Sequence, residues 1–132
     1  MAQYQKQWED LHKNGGFTLT SKGEVFTPHQ GYQVGLKTFL KTALSDLSEN
    51  GFGFIMTMAV SNADENFVGG WIEKVDGIQY LFIDYSMHIQ DFIEAMESAD
   101  VCDQLAIYDH RRGISWYVAD FPKIAEVRRS RD

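Results

Sequence analysis

Apolar residues along the chain recur in two rhythms, one near three to four residues and one of two, and the changes between them divide the sequence into elements. Tyr4, Trp8 and Leu11 stand four and three apart and are followed by Asn14-Gly15-Gly16, which predicts a short amphipathic helix over 3–13 with a glycine stop. Phe17-Thr18-Leu19-Thr20 alternates, Ser21-Lys22-Gly23-Glu24 supplies a turn, and Val25-Phe26-Thr27 resumes before Pro28, the pattern of an edge hairpin. Leu36, Phe39, Leu40, Ala43, Leu44 and Leu47 have one-sided helical spacing, so a helix is expected there, with Asn50-Gly51 as its stop. Phe52, Phe54, Met56, Met58 and Val60 alternate, and the expectation is a strand inside a sheet.

Beyond the polar stretch Ser61 to Asn66, Asp76-Gly77 separates two strand-like runs. Such a dipeptide suits a two-residue hairpin turn, which would pair Val75 with Ile78, Glu73 with Tyr80 and Trp71 with Phe82. This hairpin is apolar on both faces near its base, and covering it twice calls for helices on one side and a second subunit on the other, so a homodimer is expected. Ile89, Phe92, Ile93 and Met96 predict a helix over 89–99, and Leu105 to Tyr108 and Ile114 to Val118 predict a closing hairpin. Together these elements specify an α+β fold: a mainly antiparallel sheet of five to seven strands with two or three helices packed on one face.

Length places residues 1–132 in a single domain, with 123–132, which carries Arg128-Arg129-Ser130-Arg131, as a flexible basic tail. An apolar fraction of 44% excludes a disordered chain. Cys102 is the single cysteine, which excludes an intramolecular disulfide and a cysteine-rich zinc site and fits a reducing, cytoplasmic setting. The amino-terminal stretch lacks the apolar core of a signal peptide and no apolar run is long enough to span a bilayer, so no membrane association is expected.

Charge changes the picture more than composition does. Residues 42–110 hold thirteen acids against Lys74, while both flanks are basic and the whole chain sums to −7. Phosphates would be repelled by that middle segment, so direct nucleic-acid binding is not expected. Asp91, Glu94, Glu97 and Asp100 recur every three residues and form an acidic stripe on the predicted helix. That stripe is either a solvated face or a surface for a basic protein partner.

Chemistry-bearing motifs are sparse. Cys102 could pair with His88 or His110 as a nucleophile, but packing is the simpler role beside acidic Asp103. The four histidines show no helical ligand spacing, and neither Gly15-Gly16 nor Gly69-Gly70 continues into a phosphate-binding loop, so no metal or cofactor is expected and no catalytic residue is assigned. Asp109-His110-Arg111-Arg112 puts an acid, an imidazole and two guanidiniums on one loop, able to bind a carboxylate or phosphate if it is more than a solvated turn. Trp71, Tyr80, Tyr85 and Trp116, with Tyr32 and Tyr117, could line a ligand groove together with His110, Arg111 and Arg112, or serve as core and cross-strand pairs.

Lys13-Asn14-Gly15-Gly16-Phe17-Thr18-Leu19, Gly31-Tyr32-Gln33-Val34, Gly69-Gly70-Trp71, Asp76-Gly77 with Tyr80 and Asp84, and Gln104-Leu105-Ala106-Ile107-Tyr108-Asp109 resemble strings in short uncharacterised proteins of phages, plasmids and gene cassettes. The resemblance implies accessory, mobile-element biology and carries over no catalytic residue. Three function classes follow: a non-enzymatic accessory protein docking a partner through its acidic surface, a small-molecule-binding domain with an aromatic pocket, and a small enzyme with an unrecognised site.

Overall fold

The computed structural model describes residues 3–122, so the basic tail expected over 123–132 lies outside the described residues. The elements in order are α1 (Gln5–Asn14), β1 (Gly16–Leu19), β2 (Tyr32–Ala43), α2 (Glu49–Ser61), β3 (Phe67–Val75), β4 (Ile78–Ile89), α3 (Phe92–Val101), β5 (Ala106–Asp109) and β6 (Ile114–Tyr117). Short 3-10 turns at Leu44–Asp46 and Val118–Asp120 follow β2 and β6. The six strands hydrogen-bond in the order β1-β3-β4-β2-β5-β6, an α+β fold. No helix among the described residues is long and apolar enough to cross a membrane.

Two expected elements exchange identity. The stretch expected as a helix from Leu36 is strand β2, and the stretch expected as a strand from Phe52 is helix α2. Phe52, Met56 and Ala59 are all buried, at spacings of four and three, and Phe54 is 68% exposed, so the helical period outweighs the alternation. Ser48 caps α2 by accepting the Gly51 N–H at 3.1 Å, which makes Asn50-Gly51 part of the first turn rather than a stop. In β2, Tyr32, Val34, Thr38, Phe39 and Thr42 favour an extended backbone, and strand pairing decides against the helix-like spacing of the leucines. A third expectation shifts: Ile89 ends β4, and α3 begins after Asp91, whose carboxylate accepts the Glu94 N–H at 2.9 Å. Ile93, expected in the core, is exposed, while Ala95, Met96 and Ala99 form the buried side of α3.

The contacts of the chain define two compact units, Met1–Phe26 with Thr38–Tyr85, and Thr27–Lys37 with Ser86–Asp132. In the first, α1 ends at Gly15 in the left-handed conformation and packs on β1. β1 pairs antiparallel with β3, Phe17 opposite Gly70, and a Cβ at Gly70 would lie 2.5 Å from the Phe17 ring. Asp76 and Gly77 both have positive φ, as a type I′ turn requires, and Trp71 stacks on Phe82 at 4.4 Å, as the expected pairing has it. In the second unit, Val34, Ala95, Met96, Ala99 and Ile107 form a core edged by Tyr32, Phe92, Trp116 and Phe121. β5 pairs with β2 on one side and with β6 on the other, Tyr32 opposite Asp109 and Ile107 opposite Trp116.

Candidate functional site

The loop joining β5 to β6 organises the second unit's polar chemistry. Asp109, 1% exposed, accepts four hydrogen bonds: from the Arg111 and Arg112 backbone N–H groups at 3.0 and 3.1 Å, the Arg112 guanidinium at 3.1 Å and the Trp116 indole at 3.0 Å. Burial by itself would raise this carboxyl, but the hydrogen bonds from Trp116 and Arg112 and the Arg112 charge outweigh burial and hold it below the usual carboxylate range. The same ion pair raises Arg112, so both partners stay charged. The aspartate is therefore a structural anchor that fixes an arginine and a tryptophan from one tight loop.

A cavity of about 350 Å³ opens beside that anchor, lined by Tyr32, Phe92, Arg112, Trp116 and Phe121. Phe92 packs edge-on against Trp116 at 5.8 Å and Phe121 at 5.4 Å, and lies tilted against Tyr32 at 5.6 Å, so the rings brace one another. Asp109 engages one of the donors of the Arg112 fork, and the arginine side chain remains more than half exposed.

A second polar cluster is centred on Gln33. Its Oε1 lies 2.9 Å from His110 Nε2 and 3.2 Å from His88 Nδ1, and its Nε2 donates to Ser86 Oγ at 2.8 Å. Gln90 Nε2 stands 3.1 Å from His88 Nε2, so the amide donates to that ring nitrogen while Nδ1–H of His88 and Nε2–H of His110 donate to Gln33. The His88 and His110 rings are 5.4 Å apart. Gly31 shapes the cluster: its carbonyl accepts the His110 backbone N–H at 3.0 Å, and a Cβ at this position would fall 2.5 Å from His88 Nε2. Burial lowers the proton affinity of His88, and burial followed by the neighbouring His88 lowers that of His110 against the opposing pull of Asp109.

The expected ligand residues therefore divide. His110, Arg111, Arg112 and Trp116 share the β5–β6 loop region, and Arg112 and Trp116 line its cavity. Trp71, Tyr80 and Tyr85 belong to the first unit. There the Trp71 indole donates to Asp84, Lys41 sits 4.5 Å above the Tyr80 ring, and the buried Tyr85 hydroxyl donates to the Ala59 carbonyl at 2.7 Å. Burial and then the Asp64 charge raise the Tyr85 phenol, so it is a neutral core donor rather than a groove residue.

The acidic stripe is also divided. Asp91 is the cap of α3, while Glu94 and Glu97 line a cavity of about 280 Å³ with Met87, Ser98, Val101 and Cys102. Asp100 and Glu97 are half-buried. Gln33, Ser86 and Phe92 escape motif reading because each acts through a cross-strand or core neighbour distant in sequence. The spacing of Asp109 to Arg112, which closes on Gly113, is the one local signal of the anchored loop. Among the described residues no three of His, Cys, Asp and Glu converge as a metal cluster. The chain matches no family model, no curated protein and no solved structure.

Proposed function

We propose that the second unit binds a small planar ligand bearing a carboxylate or comparable anionic group. One observation carries the reading: four aromatic residues meet a guanidinium held by a buried carboxylate at a cavity of about 350 Å³, a volume suited to a ligand of one or two rings. The rings offer apolar walls, and Arg112 offers a planar donor fork to an anion. Asp109 would keep three N–H donors if Arg112 turned toward a ligand, so the anchor survives the exchange. Calorimetric titration with naphthoate and with neutral naphthalene methanol tests this. The anion is expected to bind more tightly, and Arg112→Gln to remove that preference by about tenfold. Equal binding of both probes, or a preference untouched in Arg112→Gln, would overturn it.

A second reading, an accessory role docking a basic protein partner, is favoured by the α3 cavity, where Glu94 and Glu97 share a wall with Met87 and Val101. Such a site suits a lysine or arginine side chain with its aliphatic stem. It accords with the mobile-element resemblance, and its mark is association that weakens steeply with salt and is lost in Glu94→Lys. A homodimer through the exposed strip of the β3–β4 hairpin belongs to the same class of proposal.

A further inference from the structure

We infer that His88, His110 and Gln33 together form a binding site for a borderline divalent transition-metal ion such as Zn²⁺. The inference rests on a convergence of atoms on three separate chain segments. His88 Nδ1 and His110 Nε2 approach one atom, Gln33 Oε1, to 3.2 and 2.9 Å. Around a tetrahedral ion with metal–ligand bonds of about 2.0–2.1 Å, adjacent donor atoms are about 3.3–3.4 Å apart. Two edges of such a tetrahedron are thus already within about half an ångström of their bound lengths. Two imidazoles sharing one tetrahedral ion have centroids about 5 Å apart by the same geometry. The observed separation is 5.4 Å.

The supports around these donors are those a metal site needs. Ser86 Oγ accepts the Gln33 amide N–H at 2.8 Å and so keeps the carboxamide oxygen turned toward the two rings. Gln90 faces the remote nitrogen of His88 at 3.1 Å. On binding, the proton of His88 moves through solvent from Nδ1 to Nε2, and a rotation of the Gln90 carboxamide lets its oxygen accept that new N–H. The proton of His110 moves likewise from Nε2 to Nδ1, so both ligands stay neutral and no net proton is released from neutral rings. The absence of a side chain at Gly31 admits His88 to the cluster. Two imidazoles and one amide oxygen leave at least one coordination position for water or an anionic ligand, the arrangement of an open rather than a closed site. The sequence conceals this site because its ligands come from β2, β4 and the β5–β6 loop, with no helical spacing among them.

The test is calorimetric titration of the full chain with Zn²⁺ in a non-chelating buffer at neutral pH, beside histidine ring NMR of the same wild-type sample. One ion per chain is expected, with two of the four histidine ring signals shifting together. His88→Ala and His110→Ala should each weaken binding by about tenfold or more, and His12→Ala and His29→Ala should leave it unchanged. Failure to bind millimolar Zn²⁺ would overturn the inference. So would shifts at His12 or His29 in the wild type, a reading that needs no variant to fold. Naphthoate titration at the Arg112 cavity is a separate measurement, so failure of one site leaves the other standing.

Discussion

The Asp109 carboxylate accepts the Trp116 indole N–H at 3.0 Å from a residue seven positions along the chain, across the turn that joins β5 to β6. That bond links the loop to the aromatic wall of the cavity, because the same carboxylate holds Arg112. Asp109→Ala leaves the indole and two loop N–H groups without their acceptor, and a loss of about 3 kcal/mol is expected. Urea unfolding followed by Trp fluorescence measures it. Asp109 is depressed in the folded chain, so its contribution is present above the ordinary aspartate value and disappears as pH falls through the lower folded value. The acid limb of the stability profile should flatten in Asp109→Asn.

His88 and His110 give stability a second pH dependence of the opposite kind to a paired imidazolium. Both are lowered from the ordinary value of 6.5. The unfolded chain then binds protons first, so stability is complete above that value and falls as pH drops toward the folded values. Urea midpoints at neutral and mildly acidic pH should therefore diverge in the wild type and converge in a His88→Gln, His110→Gln double variant. A wild-type midpoint that rises on acidification across this window would contradict the direction.

Helix α2 predicts an asymmetry that a strand would not show. Phe52 is buried and Phe54 is 68% exposed. Phe52→Ala should cost about 3–5 kcal/mol, while a change of Phe54 to Lys should alter stability by less than about 0.5 kcal/mol. Ser48→Ala should cost about 1 kcal/mol through the lost cap. Equal losses at 52 and 54 would restore the alternating strand pattern.

The exchange of helix and strand shows what was legible and what was not. Asp76-Gly77 specified its hairpin because a two-residue turn with positive φ is a local property, and Asn14-Gly15 specified the end of α1 for the same reason. Residues 52–60 satisfy both periods at once: Phe52, Phe54, Met56, Met58 and Val60 for a strand, Phe52, Met56 and Ala59 for a helix. Only the buried partners decide between them, and those lie elsewhere in the chain. The candidate site divides along the same line. Arg112 and Trp116 were legible from a charged loop beside aromatics, whereas Gln33 joins His88 and His110 only once β2 lies between β4 and β5. Tyr85 looked like a groove residue because an aromatic ring carries no mark of whether its hydroxyl meets a ligand or, as here, the backbone of a helix.

The β3–β4 hairpin supplies the last prediction. Leu81 and Ile83 face the core, and the opposite face carries Trp71, Val75, Ile78, Tyr80 and Phe82 by strand alternation. Part of that face is covered within the chain, since Trp71 stacks on Phe82 at 4.4 Å and Lys41 lies 4.5 Å over the Tyr80 ring. Trp71 and Val75, each 37% exposed, and Ile78, 49% exposed, remain as an apolar strip beside the turn. Two copies are expected to associate through this strip, weakly, because the covered rings no longer contribute apolar area. Light scattering over a dilution series should show a dimer at high micromolar concentration that separates below it. Ile78→Lys places a charge on each side of a two-fold contact and should give a monomer with unchanged circular dichroism. A wild-type monomer at every concentration would show that Lys41 and the Trp71–Phe82 stack cover the face sufficiently on their own.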